Sequence, residues 1–222
     1  MTYEIKHHLT EAVVMAYSAG TLPEAFNLLV AAHISMCDEC RALVAAHEFV
    51  GGAILEDCEE IALSDDALEA CFSKIETGAK DQILVPATPV SSQNENSVLP
   101  QPLQDYVGGD LDAVKWRKVG GGVQQAILRT SKEATVRLLR IPGGCEVPDH
   151  GHHGTEMTLV LQGAFRDEFS EFRAGDVEIC DADVEHTPIA LEGEDCICLA
   201  ATDARLKFAG FLPKIAQPFL RI

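Results

Sequence analysis

The sequence predicts an α + β chain in two parts, a four-helix N-terminal domain over residues 1–85 and a C-terminal β-sandwich or barrel over residues 103–222. Three observations carry this: helix-period hydrophobicity in the first part, a Pro/Ser/Asn/Gln stretch over residues 86–102, and short glycine-punctuated β-rich runs after it. Either part of a 222-residue chain is long enough for a small core, with help from a metal.

The helical runs are 10–17, 23–36, 40–55 and 64–75. In the second, Phe26, Leu29, Val30 and His33 follow helical spacing, and Pro23 sits at the favoured first turn. Ser64 and Asp65 are good caps for the fourth. Residues 86–102 contain four prolines and little periodic hydrophobicity, as an inter-domain linker would. The clearest strands beyond it are 124–129, 134–141, 157–162, 177–179 and 195–200, split by Gly120–Gly122, Gly143–Gly144, Gly163 and Gly175.

The formal net charge of −18 argues against a nucleic acid as direct partner, because phosphate recognition needs a Lys/Arg surface. The charge is uneven: residues 1–85 carry 15 acidic and 4 basic side chains, and the rest carry 20 and 13. An acidic helical part suits a basic protein surface. The N-terminus MTYEIKHHLT has no apolar signal core and no apolar run is long enough to span a bilayer, so the expectation is a cytoplasmic protein that does not enter a membrane. In that setting the eight cysteines are expected to be reduced, two of them as ligands.

His33-x3-Cys37-x2-Cys40 is the first chemical cluster. His33 and Cys37 share a helix face, and Cys40 returns from the start of the next helix. Three such ligands suit Zn²⁺, which takes a fourth to complete its tetrahedron. His7 and His8 both lie upstream within reach, and His8, closer to the helix start at Thr10, is chosen. A site closed by four protein ligands is structural: it clamps helices that bury too little apolar area alone.

The second cluster is Gly144-x5-His150-x-His152-x3-Glu156-x6-Gly163, which reproduces the first cupin motif, and Gly175 followed by His186 resembles the second. The period-2 geometry of a strand puts His150 and His152 on one face. With Glu156 and His186 they make a set for one divalent ion: Zn²⁺, Mn²⁺, Fe²⁺ or Ni²⁺. In the second motif Asp181 and Asp183 replace the usual Pro and Gly, and Ala190 the usual Asn; the ligands survive, which fits metal binding better than one particular enzyme chemistry. Cys196-x-Cys198 places two thiols on one side of a strand; buried inert cysteine is the commoner reading, and neither is assigned a role.

The order of these motifs, with HHLTEAVVMAYSAGTLPEAF, HISMCDECRALV and IPGGCEVPDHGHHGTEMTLVLQGAFRDE around them, resembles the ChrR-type anti-sigma factors, a branch of the zinc-binding anti-sigma family, over essentially the whole chain. The resemblance implies a cupin β-barrel of jelly-roll type and a helical anti-sigma domain that binds a group IV, or ECF, sigma factor. It implies a cupin sensor module tied to singlet oxygen and organic peroxides, and it supports His8 beside His33, Cys37 and Cys40. The alternative is a metal-dependent cupin enzyme, a dioxygenase or isomerase, with a helical oligomerisation domain.

Overall fold

The computed structural model describes residues 4–77, 97–147, 150–152, 154–182, 184–204 and 206–208; for 150–152 and 206–208 it describes the backbone only. Among these are five helices, α1 Glu11–Ser18, α2 Glu24–Met36, α3 Asp38–Glu56, α4 Ala67–Glu76 and α5 Gln101–Val107. Thr10 caps α1, its hydroxyl accepting from the Val13 N–H. The first four helices match the periodic runs. The fifth raises the helix count above the expected four and straddles the end of the expected linker, with Gln101 and Pro102 inside it and residues 103–107 beyond it. Pro100 is its N-cap and Pro102 lies in its first turn, where a missing N–H costs nothing; Gly108 ends it in the left-handed region at φ 85°.

Twelve strands follow among the described residues. β1 Arg117–Gly120, β2 Val123–Leu128, β3 Thr135–Ile141, β11 Cys196–Thr202, β5 Glu156–Gln162 and β8 Val177–Cys180 form a six-stranded antiparallel sheet in that order. β10 Ile189–Ala190, β6 Ala164–Arg166 and β7 Glu171–Arg173 form a second sheet; β12 Leu206–Phe208, β4 His150–His152 and β9 Glu185–His186 form a third. These make the C-terminal cupin-type β-domain. β5 and β11 lie inside the large sheet, and both read as nearly continuous apolar runs because both of their faces are covered.

α2 explains how the two parts meet. Ala25, Phe26, Leu28, Leu29, Val30, Ala32 and His33 are all buried, more than one helix face can supply, so the helix is covered on several sides. α1 and α3 pack on it, and so do α5 and strands β3, β5 and β11. Leu29 and Val30 thus belong to one hydrophobic cluster with Leu103, Leu138, Leu159 and Leu199. Each such side chain contributes about 1.5–3 kcal/mol relative to leaving it in water. Residues 86–96 of the expected linker lie outside the described residues. Its last part is packed: Leu99 is buried, and the Val98 and Leu99 N–H groups donate to the Asp110 carboxylate at 3.1 and 2.8 Å.

α3 and α4 behave differently. Only Cys40 and Val44 of α3 are buried, and no residue of α4 is. Among the described residues no helix is long and apolar enough to cross a membrane.

Candidate metal centres

Four ligand atoms, one each from His8, His33, Cys37 and Cys40, lie within 4.8 Å of one another. α2 ends at Met36, so Cys37 is not the last helical residue but the junction, with extended dihedrals (φ −115°, ψ 109°) as C-cap of α2 and N-cap of α3. That departure from a shared helix face turns its Sγ toward α3, where it accepts from the Cys40 N–H at 3.5 Å. His8 reaches in from the segment before α1, its Nδ1 3.3 Å from Cys37 Sγ and 3.7 Å from Cys40 Sγ. His7, its neighbour, faces the barrel: Nε2 is 3.1 Å from Ser170 Oγ and the ring lies 4.5 Å from that of Phe172.

The chemistry of this set fits a soft dication. His33 Nε2 is buried with no hydrogen-bond partner, a costly arrangement unless a metal takes its lone pair. Its Nδ1 donates to the Gly175 carbonyl at 2.9 Å, which fixes the tautomer that leaves Nε2 free. Burial lowers the His33 pKa to about 4, so the ring is a neutral ligand at any ordinary pH. Burial pushes the Cys40 thiol up to about 11, with the neighbouring Cys37 adding to it. A dication supplies the opposing charge that lets both sulfurs be thiolates.

The barrel set is placed as follows. Across the β4–β9 ladder His150 stands directly opposite His186, and His152 stands opposite Leu206 of β12. The side chains of His150 and His152 lie outside the described residues. Glu156, the first residue of β5, is buried, and its backbone partner is Cys180 of β8. Burial raises the Glu156 carboxyl to about 7, against the pull of His186 and Arg137. His186 is 1% exposed. Its Nδ1 lies 3.2 Å from Glu178 Oε1, 3.4 Å from Asp167 Oδ2 and 4.0 Å from Cys180 Sγ. Burial alone would lower the His186 pKa, but the hydrogen bonds to Cys180 and Glu178 and their charge outweigh it and hold it at about 11.

Sequence reasoning missed this surround. Glu178, Cys180 and His186 form a second group of ligand atoms within 4.8 Å of one another. The signal was an acidic residue inside the apolar run Val177–Cys180, where a lone carboxylate needs a partner. Cys196 and Cys198 are buried in β11, and their mutual hydrogen bond and burial push the Cys198 thiol well above its usual range, away from a reactive thiolate.

Residues 104–205 match the family model of the ChrR cupin-like domain. Over 218 residues, 98% of this chain and 99% of the relative, the sequence is 55% identical to the anti-sigma-E factor ChrR of Cereibacter sphaeroides. The chain belongs to the ChrR family of anti-sigma factors. The crystal structure of Rhodobacter sphaeroides SigE in complex with the anti-sigma ChrR is similar over 90% of this chain and all of that one, with 52% identity and a TM-score of 0.75. An RmlC-like cupin protein from Ralstonia eutropha is 26% identical over 46% of this chain and 71% of its own, with a TM-score of 0.41. Membership in the ChrR family makes the protein a regulator that carries a cupin barrel, and the cupin-enzyme alternative gives way to it.

Proposed function

We propose that this protein binds an ECF-type sigma factor and holds it away from core RNA polymerase, with residues 1–85 as the contacting part. The observation that carries this reading is the apolar surface left open by α3 and α4. Phe49 and Leu55 on α3, Ile61 and Leu63 between the helices, and Phe72 and Ile75 on α4 are all more than half exposed, Phe49 at 80% and Ile61 at 86%. Six large apolar side chains left open along one stretch of chain, here the open strip, suit burial against a protein partner. Acidic residues flank it, Glu56, Asp57, Glu59, Glu60 and Glu69 among them, which suits the basic surface of a DNA-binding partner. The relative's partner in its crystal complex is a sigma factor, and this chain is similar to that relative along nearly its whole length.

In this reading Zn²⁺ bound by His8, His33, Cys37 and Cys40 fixes the junction between α2 and α3, from which the open strip projects. A divalent ion bound by His150, His152, Glu156 and His186 belongs to a cupin sensor of oxidative stress such as singlet oxygen. Since sigma factors work where RNA polymerase is, the reading places the protein in the cytoplasm. Inhibition needs only mass action: free sigma falls by a factor set by inhibitor concentration over Kd. The test is reconstitution. With core polymerase and an ECF sigma factor from the same organism, the purified chain should suppress sigma-dependent transcription, and excess sigma should restore it. Undiminished transcription at inhibitor concentrations well above that of sigma would refute the reading.

A further inference from the structure

We propose that the β7–β8 turn of the barrel, residues 173–177, is a latch on the N-terminal metal centre, with Asp176 as its positioning residue. The inference rests on the reading of His8, His33, Cys37 and Cys40 as a metal site. It goes beyond that reading by making the barrel complete it.

Asp176 is wholly buried, and its carboxylate joins two segments far apart in the chain. Oδ1 accepts from the Lys6 N–H at 2.7 Å and the His7 N–H at 2.9 Å; Oδ2 accepts from the Arg173 N–H at 2.8 Å, closing the turn itself. The Val177 N–H then donates to the His7 carbonyl at 3.0 Å. Residues 6 and 7 are therefore held by the turn on both backbone polarities, and the next residue is the ligand His8. One position before Asp176, the Gly175 carbonyl holds His33 Nδ1. Two of the four candidate ligands are thus oriented by a single turn of the other domain.

Gly175 itself is fitted to this role. At φ +96° it occupies backbone space that other residues rarely adopt, and a Cβ there would come within 2.6 Å of Ile5 Cγ1. The turn runs directly into β8, where Glu178 and Cys180 lie against His186. A displacement of β8 at the barrel centre consequently moves the carbonyl and carboxylate that orient His33 and His8. Hydrogen-bond partners of metal ligands typically govern metal affinity by about 10- to 100-fold, enough to turn a barrel event into loosening of the helical clamp.

The test uses the full chain loaded with Co²⁺ and challenged with excess chelator. The thiolate-to-cobalt charge-transfer band reports the site containing Cys37 and Cys40, with the Cys37→Ser chain as the reference that lacks it. Asp176→Ala should lose the band about tenfold faster than wild type. Asp176→Asn can still accept from Lys6 and His7 but not from Arg173, so its rate should fall between the two; it carries the comparison if the alanine variant does not fold. Gly175→Ala should also accelerate loss. Rates within twofold of wild type for Asp176→Ala, or for Asp176→Asn where only that variant folds, overturn the latch while leaving the metal site standing. A wild-type chain with no thiolate-to-cobalt band overturns the site as well.

Discussion

The two candidate centres are built on opposite electrostatic plans. Around His33 the donors are two imidazoles and two sulfurs, and burial holds His33 neutral, with its pKa lowered to about 4. Around His186, beside the candidate ligands, stand the carboxylates of Glu178 and Asp167 and the Cys180 thiol, and although burial lowers the imidazole pKa, the hydrogen bonds to Cys180 and Glu178 hold it at about 11. The first is a set of neutral ligands waiting for a dication; the second is an acidic pocket in which a proton already does part of a dication's work. Metal entry displaces protons at both, from the Cys40 thiol held at about 11 in the first and from the His186 imidazolium in the second, but only the imidazolium proton carries a positive charge that can stand in for the ion when it leaves.

The sharpest way to break this comparison is to remove a sulfur. Cys40→Ser should strip the N-terminal metal and lower sigma affinity by at least about 100-fold, since metal-binding free energy is folding free energy in such sites; isothermal titration with the sigma factor reads it. Wild-type affinity with one metal still bound at the helical end would end the clamp reading.

A smaller effect is expected on the open strip. Phe72→Ser removes a large apolar side chain that is 56% exposed. Its burial by sigma is worth about 1.5–3 kcal/mol, or roughly 10- to 100-fold in Kd. The same titration should show that loss with metal content and melting temperature unchanged. A drop in melting temperature instead would mean that α4 packs on its own chain.

Glu156→Ala should separate the two centres functionally. Metal analysis should show the barrel ion lost and the N-terminal zinc kept, with sigma affinity within about threefold of wild type, well under 1 kcal/mol. After singlet-oxygen exposure the variant should keep sigma bound while wild type releases it. Release at the wild-type rate would deny the barrel ion a part in sensing.

The smallest effect is one of pH in the metal-free chain. Glu156 has its folded pKa raised from 4.5 to about 7, so the folded state binds more protons than the unfolded between those values, and stability falls as pH rises across them. Glu156→Gln carries no such charge, so its melting temperature relative to wild type should rise by several °C between pH 5 and pH 8, at about 2–4 °C for each kcal/mol. His33 has the opposite sign, its folded pKa lying below the unfolded value of 6.5, so its contribution is present above 6.5 and lost as pH falls toward about 4. His186 follows a third course: its contribution is full below 6.5 and disappears only as pH rises through about 11. Equal melting shifts for the glutamine variant at pH 5 and pH 8 would show that Glu156 is better solvated than its burial indicates.

The sequence by itself determined what is local or periodic. The first four helices, the β-rich second part, and the His33-x3-Cys37-x2-Cys40 and His150-x-His152-x3-Glu156 spacings were legible because helical and strand periods and cap residues act within a few positions of the chain. α5 was hidden because a proline in a linker and a proline at a helix start look alike until the downstream residues pack. The tertiary structure alone decided that His8 Nδ1 faces the cysteines while His7 faces Ser170. The reason is the grip of Asp176 and Val177 on residues 6 and 7, from some 170 positions away. It also decided that Glu178, Cys180 and Asp167 surround His186 and that the Gly175 carbonyl orients His33. The contacts of His33 with Gly175 and of His7 with Ser170 are long-range, fixed by how the helical part meets the barrel, while those of His186 with Glu178 and Cys180, eight and six positions away, follow from the placing of β8 and β9 in separate sheets; spacing along the chain alone encodes neither.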